Sequence, residues 1–414
     1  MTYIEELGVK AKKAEASIRG ITQKQKNDAL IEISRELLNN TDQIISANQK
    51  DLENAEKANM SPAMQDRLRL DKIRISDMAA GVIKIYGLPD PVGRVLGGRE
   101  LPNGLKIVKK SVPLGVVGII FESRPNVTVD AAALCLKSGN VSVLRGGSDA
   151  INSNKCLAKI MRSALKKTGI DENVISLVED TSRETVSELM KLNRYIDVLI
   201  PRGGHSLIQN VINNSTIPVI QTGEGNCSVY VDSSADIDMA VNIIDNGKTQ
   251  RPSVCNAIEN ILVHRDIAEK LLPALQQKWS GKVKILGDER AAEIIKTDGN
   301  ATEEDYGREF LDYIIAVKIV DSLDQAIDFI NKYGTRHSEC IVTKDLPNAE
   351  RFQQEVDAAA VYVNASTRFT DGGQFGMGAE IGISTQKLHA RGPMGLEEMT
   401  AYKYLINGSG QVRE

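Results

Sequence analysis

The chemistry of this chain is expected in the stretch Asp245-Asn-Gly-Lys-Thr-Gln-Arg-Pro-Ser-Val-Cys-Asn-Ala-Ile-Glu259. Gly247 and Pro252 break any regular period ahead of Cys255, so the approach reads as a loop, and Lys248 and Arg251 add positive charge to it. From Ile258 to His264 an apolar run reads as a strand. A cysteine attacks a carbonyl carbon as its thiolate, and neighbouring cations lower the pKa that sets the thiolate fraction. A free cysteine is more often a small buried hydrophobe. An inert core cysteine does not require a polar, cationic, proline-broken approach, so Cys255 is read as a nucleophile.

The elements that must position such a thiol follow from the pattern around it. Apolar runs at 115–121, 141–145, 174–177, 197–200 and 217–220 alternate with helical patterns such as Asn152 to Lys167 and Ser182 to Leu192. That alternation predicts an α/β fold with a doubly wound parallel sheet. A second α/β series runs from Ser228 to Asn364. Ahead of both, residues 1 to 88 read as helices. Ile4, Leu7, Ala11, Ala14 and Ile18 recur at helical spacing, with Thr22, Thr41 and Ser61-Pro62 at the expected starts. Pro102-Asn103-Gly104 marks a hairpin between two extended runs. Thr370 to Gly395 carries seven glycines and reads as a long loop, and Ala401 to Ile406 as a strand whose partner is that hairpin. The expected division is a cofactor domain over 1–228, with an oligomerisation hairpin at 94–112, and a catalytic domain over 229–364. The segment 365–414 then returns to the cofactor domain and ends in an oligomerisation strand.

Composition narrows the function. With 414 residues the chain is too long for one core. Basic and acidic residues number 51 and 55, and aromatics only 4%. That argues against a nucleic-acid partner, though a local basic cluster can still take a small anion. The longest apolar run, Val112 to Phe121, is too short to span a bilayer, so no membrane association is expected. The N-terminal residues lack the pattern of a secretory signal. Five widely spaced cysteines (135, 156, 227, 255 and 340) match neither a disulfide framework nor a zinc site. A cytoplasmic protein without a metal is expected.

Several blocks resemble the aldehyde dehydrogenase superfamily. Pro113-Leu-Gly-Val-Val-Gly-Ile-Ile120 is similar to its first cofactor-domain strand, and Ser138-Gly-Asn-Val-Ser-Val-Leu-Arg145 to its second. Val231 to Val241 resembles the segment leading into the catalytic domain, and Arg308-Glu-Phe-Leu the block whose glutamate holds the nicotinamide ribose, which places that role on Glu309. Arg251-Pro-Ser-Val-Cys-Asn256, Leu199-Ile-Pro-Arg-Gly-Gly204 and Val320 to Ile341 narrow the resemblance to the branch that reduces gamma-glutamyl phosphate. The fold implied is aldehyde-dehydrogenase-like, with a Rossmann-type cofactor domain, a second α/β catalytic domain and a small β oligomerisation element. The activity implied is NADPH-dependent reduction of L-glutamyl 5-phosphate to L-glutamate 5-semialdehyde and phosphate, in proline biosynthesis, through a Cys255 thioester. The small-molecule substrate aside, a homo-oligomer and a glutamate kinase partner are the associations implied.

The resemblance assigns further roles. Asn126, in Ser123-Arg-Pro-Asn126, matches the oxyanion-stabilising asparagine. Gly203 and Gly204 open a helix after a strand, where backbone N–H groups can meet a cofactor phosphate. Arg145 ends the second strand, and Ser148 stands where an acid would favour a free 2′-hydroxyl, so NADPH is expected over NADH. Arg124, Arg336, His337, Arg368 and Arg391 are the candidates for the substrate's anionic groups. Aldehyde-oxidising relatives activate water with a glutamate at the position of Thr222, with Glu224 nearby but offset. The competing reading is an NAD(P)-dependent dehydrogenase that oxidises a small aldehyde; a non-catalytic cofactor-binding protein is disfavoured by Cys255.

Overall fold

The computed structural model describes residues 1–413, apart from the side chain of Ala63. The chain divides into two compact units. One holds 1–221, 377–382 and 394–414, and the other 222–376 and 383–393. The division falls at Gln221/Thr222, ahead of the expected 228/229, because Thr222 to Asn226 already forms part of the second unit.

The first unit begins with five helices over Tyr3–Gly87. Thr2 and Thr22 each close a capping box with the residue three positions on, which satisfies orphan donors at both ends of the exchange. Asn40, not Thr41, flanks the third helix, and Thr41 is its first residue. Ile4, Leu7, Ala11, Ala14 and Ile18 form a buried stripe, as do Leu30, Ile33 and Leu37. The helices lead to a four-stranded parallel sheet in spatial order Ile175–Leu177, Val141–Arg145, Val116–Phe121, Val198–Arg202. Val116–Phe121 is buried along its whole length, as a central parallel strand must be. The run 217–220 is no strand: Pro218 has no N–H to donate, and only Val219 bridges to Leu199. The chain leaves the central strand first toward Val141–Arg145 and later returns on the other side as Val198–Arg202. Their carboxyl ends therefore flank a topological switch point, where open α/β sheets bind ligands.

A separate antiparallel sheet joins the hairpin Val95–Glu100/Lys106–Pro113 to the C-terminal strand Thr400–Asn407. Both outer strands are exposed, with Val95, Leu96, Tyr402, Tyr404 and Ile406 among the exposed apolar side chains.

The second unit is built on a seven-stranded sheet, all parallel, in spatial order Gly299–Asn300, Lys284–Gly287, Ile314–Val320, Ile258–His264, Cys227–Val231, Ser338–Val342, Ala360–Val363. Because the strands are parallel, every segment that immediately precedes one emerges at the same edge. That edge receives Gly225-Asn226, Asn256-Ala257, Asp312-Tyr313 and Arg336-His337. The approach to Cys255 is loop only from Gln250 onward, since Asp245–Thr249 completes the helix Ile237–Thr249. Gly247 allows that helix to lie close on the following strand, where an added Cβ would stand 3.2 Å from Ile258. No helix among the described residues is long and apolar enough to cross a membrane.

Candidate active site

The candidate residues fall into two sets, one in each unit. Arg124, Asn126, Arg145, Ser148, Gly203 and Gly204 belong to the first, and Cys255, Glu309, Arg336, His337, Arg368 and Arg391 to the second.

In the second unit, Cys255 is the partly exposed one of five free cysteines. Burial pushes the thiols of Cys135, Cys156, Cys227 and Cys340 up, that of Cys340 to about 12, so none of these four is a useful nucleophile. The turn carrying Cys255 is pinned by neighbours distant in sequence. The Cys227 thiol donates to the Cys255 carbonyl at 3.2 Å. Asn256 Nδ2 donates to the Thr370 carbonyl at 2.9 Å, and Thr367 Oγ1 to the Asn256 carbonyl at 2.7 Å. Gly225 packs so closely that an added Cβ would fall on the Cys255 carbonyl. Gly225 N–H in turn donates to Glu309 Oε1 at 2.9 Å, which ties the Glu309 turn to the cysteine turn.

The charge around the thiol differs from the sequence reading. Lys248 is fully buried and bonded to Glu259 at 2.5 Å, so it is a structural ion pair rather than a free cation at the thiol. Arg368 is the cation held against the cysteine turn: Asn256 Nδ2 donates to its carbonyl at 3.3 Å, and burial lowers its pKa while the Cys255 thiol opposes that shift. Arg368 Nε donates to Gln250 Oε1 at 2.9 Å, fixing it against the same loop.

His337 does not stand among the exposed cations expected to hold the substrate's anions. It is 0% exposed, and burial lowers its pKa to about 4, so it is neutral and cannot bind a substrate anion directly. Its Nδ1 lies 2.8 Å from Ser338 Oγ, which donates to Thr370 Oγ1 at 2.7 Å. Its place is in the polar network behind the cysteine turn. The neighbouring Arg336, held at φ +63, faces Asp357 instead. Arg336 (3.5 Å), Lys387 (2.9 Å) and Arg391 (2.7 Å) all converge on Asp357, whose carboxyl the Lys387 hydrogen bond holds below its usual range. Three cations on one carboxylate leave positive charge over for an anion. Lys387 was missed from the sequence, where its only signal is its place in the Gly-rich loop.

In the first unit, Glu122 to Asn126 follows the central strand, and Arg202 to Gly204 the strand beside it, both at the switch point. Ser123 there adopts φ +38, an unusual backbone state for a side-chain-bearing residue and common where a site dictates it. Asn126 opens the helix Asn126–Lys137, and its Nδ2 donates to Asp130 Oδ2 at 3.0 Å. Burial pushes the Asp130 carboxyl up to about 6. Arg124 is exposed in the same turn. Gly204 opens the helix His205–Asn214, where its N–H donates to Glu122 Oε2 at 2.9 Å, so a carboxylate rests where an anion is expected. Gly203 has no room for a Cβ beside that carboxylate. Arg145 donates from Nη2 to the Thr181 carbonyl at 2.7 Å, while its Nε is buried without a partner. Ser148 is exposed and opens a 3-10 turn. Asp130 and Glu122 were not singled out from the sequence; no spacing rule marks either. A cavity of about 670 Å³ in this unit, lined by Tyr3, Lys10, Lys159 and Arg162 among others, contains none of the candidate residues.

Residues 5–294 and 307–405 match the model of the aldehyde dehydrogenase family. The chain is 57% identical over 410 residues to a gamma-glutamyl phosphate reductase of Clostridium perfringens, covering 98% of each. It is 56% identical to one of Caldicellulosiruptor bescii over the full length of both. The crystal structure of a gamma-glutamyl phosphate reductase of Thermotoga maritima superposes with a TM-score of 0.98, at 48% identity and full coverage of both chains.

Proposed function

Since the chain belongs to the aldehyde dehydrogenase family and, within it, to the gamma-glutamyl phosphate reductases, we propose that it reduces L-glutamyl 5-phosphate to L-glutamate 5-semialdehyde and phosphate, a step of proline biosynthesis, in the cytoplasm. The observation that carries the reading is Cys255: a partly exposed thiol on a pinned turn, with Arg368 held against that turn. Its thiolate attacks the acyl carbon, the C–O bond to phosphate breaks, and a thioester remains on Cys255. A nicotinamide cofactor would supply the hydride that reduces this thioester carbon, and the resulting hemithioacetal releases the aldehyde when its C–S bond breaks and the Cys255 thiolate is restored. The Cys255 backbone N–H donates to the oxyanion that develops at each addition, a role that the family resemblance also gives to the Asn126 side chain. Asp130, bonded to one Asn126 N–H, leaves the other for that purpose. Arg336, Lys387 and Arg391 around Asp357, and Arg124 and Arg368, supply charge for the substrate's phosphate and carboxylate.

The nicotinamide cofactor fits the first unit. Gly203 and Gly204 stand at a helix start, where the Gly204 N–H holds the Glu122 carboxylate in place of a cofactor phosphate, and Arg145 Nε is a buried donor without a partner. Glu309 is the residue for the nicotinamide ribose. NADPH is the form favoured, because Ser148, three positions after Arg145, stands where an acid would favour a free 2′-hydroxyl. Replacing Ser148 with glutamate should therefore lower kcat/KM for NADPH by about 10-fold relative to NADH, since a new carboxylate would oppose the 2′-phosphate. An unchanged ratio in steady-state assays would place the adenosine ribose elsewhere.

The units take the roles of cofactor and catalytic domains, and the hairpin sheet that of an oligomerisation element. Its exposed outer strands carry unpaired backbone and apolar side chains, which a second copy can cover. Truncation after Met399 should convert a homo-oligomer into monomers or aggregates by light scattering. A truncated chain that remains a monodisperse oligomer refutes this role. A glutamate kinase that hands over the labile acyl phosphate is the associated partner proposed.

A further inference from the structure

A fully buried ion pair stands behind the chemistry, and none of the roles above uses it. Lys248 and Glu259 are both 0% exposed. Lys248 sits at the last turn of the helix Ile237–Thr249, and Glu259 is the second residue of the strand Ile258–His264. The segment between them is the loop that carries Cys255, so their bond at 2.5 Å closes the base of that loop. Lys248 Nζ also donates to the Ile258 carbonyl at 3.0 Å, which holds the strand's first residue to the helix.

The other Glu259 oxygen reaches a different segment. Oε1 accepts the N–H of Leu311 at 3.1 Å. Leu311 has φ +56, a conformation that a leucine adopts only when its surroundings hold it there. It stands two residues after Glu309, and Lys248 Nζ lies 6.0 Å from the ring centre of the intervening Phe310. Glu309 then returns to the cysteine turn by accepting Gly225 N–H. The Cys255 loop and the Glu309 turn thus share one buried carboxylate. An ion pair in this position is weak evidence for stability, because apolar side chains of equal volume often serve as well. What they cannot supply is the acceptor for Leu311.

We infer that Lys248 and Glu259 are positioning residues, whose buried pair sets the Cys255 loop and, through the Leu311 N–H, the turn that presents Glu309. The inference rests on the proposed role of Glu309 at the cofactor. Glu259 touches neither substrate nor cofactor; it acts through the two turns.

Two double variants separate positioning from stability. Lys248→Met/Glu259→Gln removes both charges and keeps an oxygen for Leu311, whereas Lys248→Met/Glu259→Met removes the oxygen with nearly the same shape. Tm, hydrogen exchange of the Leu311 amide, and NADPH-dependent kcat and KM are measured for both and for the wild type. Similar Tm values are expected, with exchange at Leu311 at least about 10-fold faster and kcat at least about 10-fold lower in the methionine variant. The glutamine variant should stay near wild type in both. Equal losses in the two variants, or wild-type exchange and kcat in the methionine one, overturn the inference. Glu309→Gln serves as the control: if it leaves kcat and cofactor KM unchanged, the role of Glu309 falls, while exchange at Leu311 still decides the clamp. Should neither double variant fold, the wild type decides it, because a freely exchanging Leu311 amide excludes the bond.

Discussion

Replacing Cys255 with alanine removes turnover, by roughly 10⁴-fold or more, and leaves NADPH binding nearly unchanged. The size follows from the chemistry, because without the thiol no thioester forms and a hydride has only the acyl phosphate itself to meet. The selectivity follows from the fold. Cys255 lies in the second unit, while Arg145, Gly203 and Gly204 lie in the first. The thiol is only partly buried, so its loss opens no core cavity and Tm should hardly move. Alanine at Cys135, Cys156 or Cys340 should do the reverse, costing stability and sparing kcat, since these three are buried. Initial rates of NADPH oxidation, with a fluorescence titration of the cofactor, check both halves. A Cys255→Ala enzyme within about 100-fold of wild type would mean that the reaction needs no covalent intermediate.

Run in reverse, oxidation of glutamate 5-semialdehyde should depend on added phosphate. The aldehyde reacts with Cys255, hydride leaves to the cofactor, and a thioester remains to be discharged. Water is a poor nucleophile without a general base, whose help is worth about 10²–10⁴-fold. Aldehyde-oxidising relatives carry that base where this chain has Thr222, a buried hydroxyl that cannot take a proton near neutral pH. Phosphate is already ionised, and the cations at Asp357 and Arg368 offer it charge. Without phosphate, NADPH should appear in one burst equal to the enzyme concentration and then nearly stop. With phosphate, turnover should be sustained and the acyl phosphate or its cyclised product formed. Steady turnover in phosphate-free buffer with free glutamate accumulating would instead mean that water is activated, with Glu224 the group to mutate first.

Much of the architecture was legible along the chain because each parallel strand announces itself locally. The bounds of Ile258–His264 and Val141–Arg145 are legible to the residue, since a buried strand is a short unbroken apolar run between breakers. The C-terminal strand and its hairpin partner were legible for the same reason, aided by Asn103-Gly104. Where local signals competed, reading failed. Gly247 reads as a loop residue, but it is the close-packing residue of a helix that continues to Thr249. Pro218 lay inside an apolar run and limited it to a single bridge.

The two-part α/β plan and the family were determined by the sequence itself, because local period and the order of short blocks carry them. Charge state and partnership were decided only by the tertiary structure. Lys248 reads as a cation near the thiol, yet burial and Glu259 make it a structural pair. His337 reads as a substrate ligand, yet a site without solvent keeps its ring neutral. Arg336, Lys387 and Arg391 are spread over more than fifty residues, and they become one cluster only when the fold brings them to Asp357. The reason is the same in each case. An ionisable side chain takes its properties from its solvation and from charges within a few ångströms, and those neighbours come from distant parts of the chain.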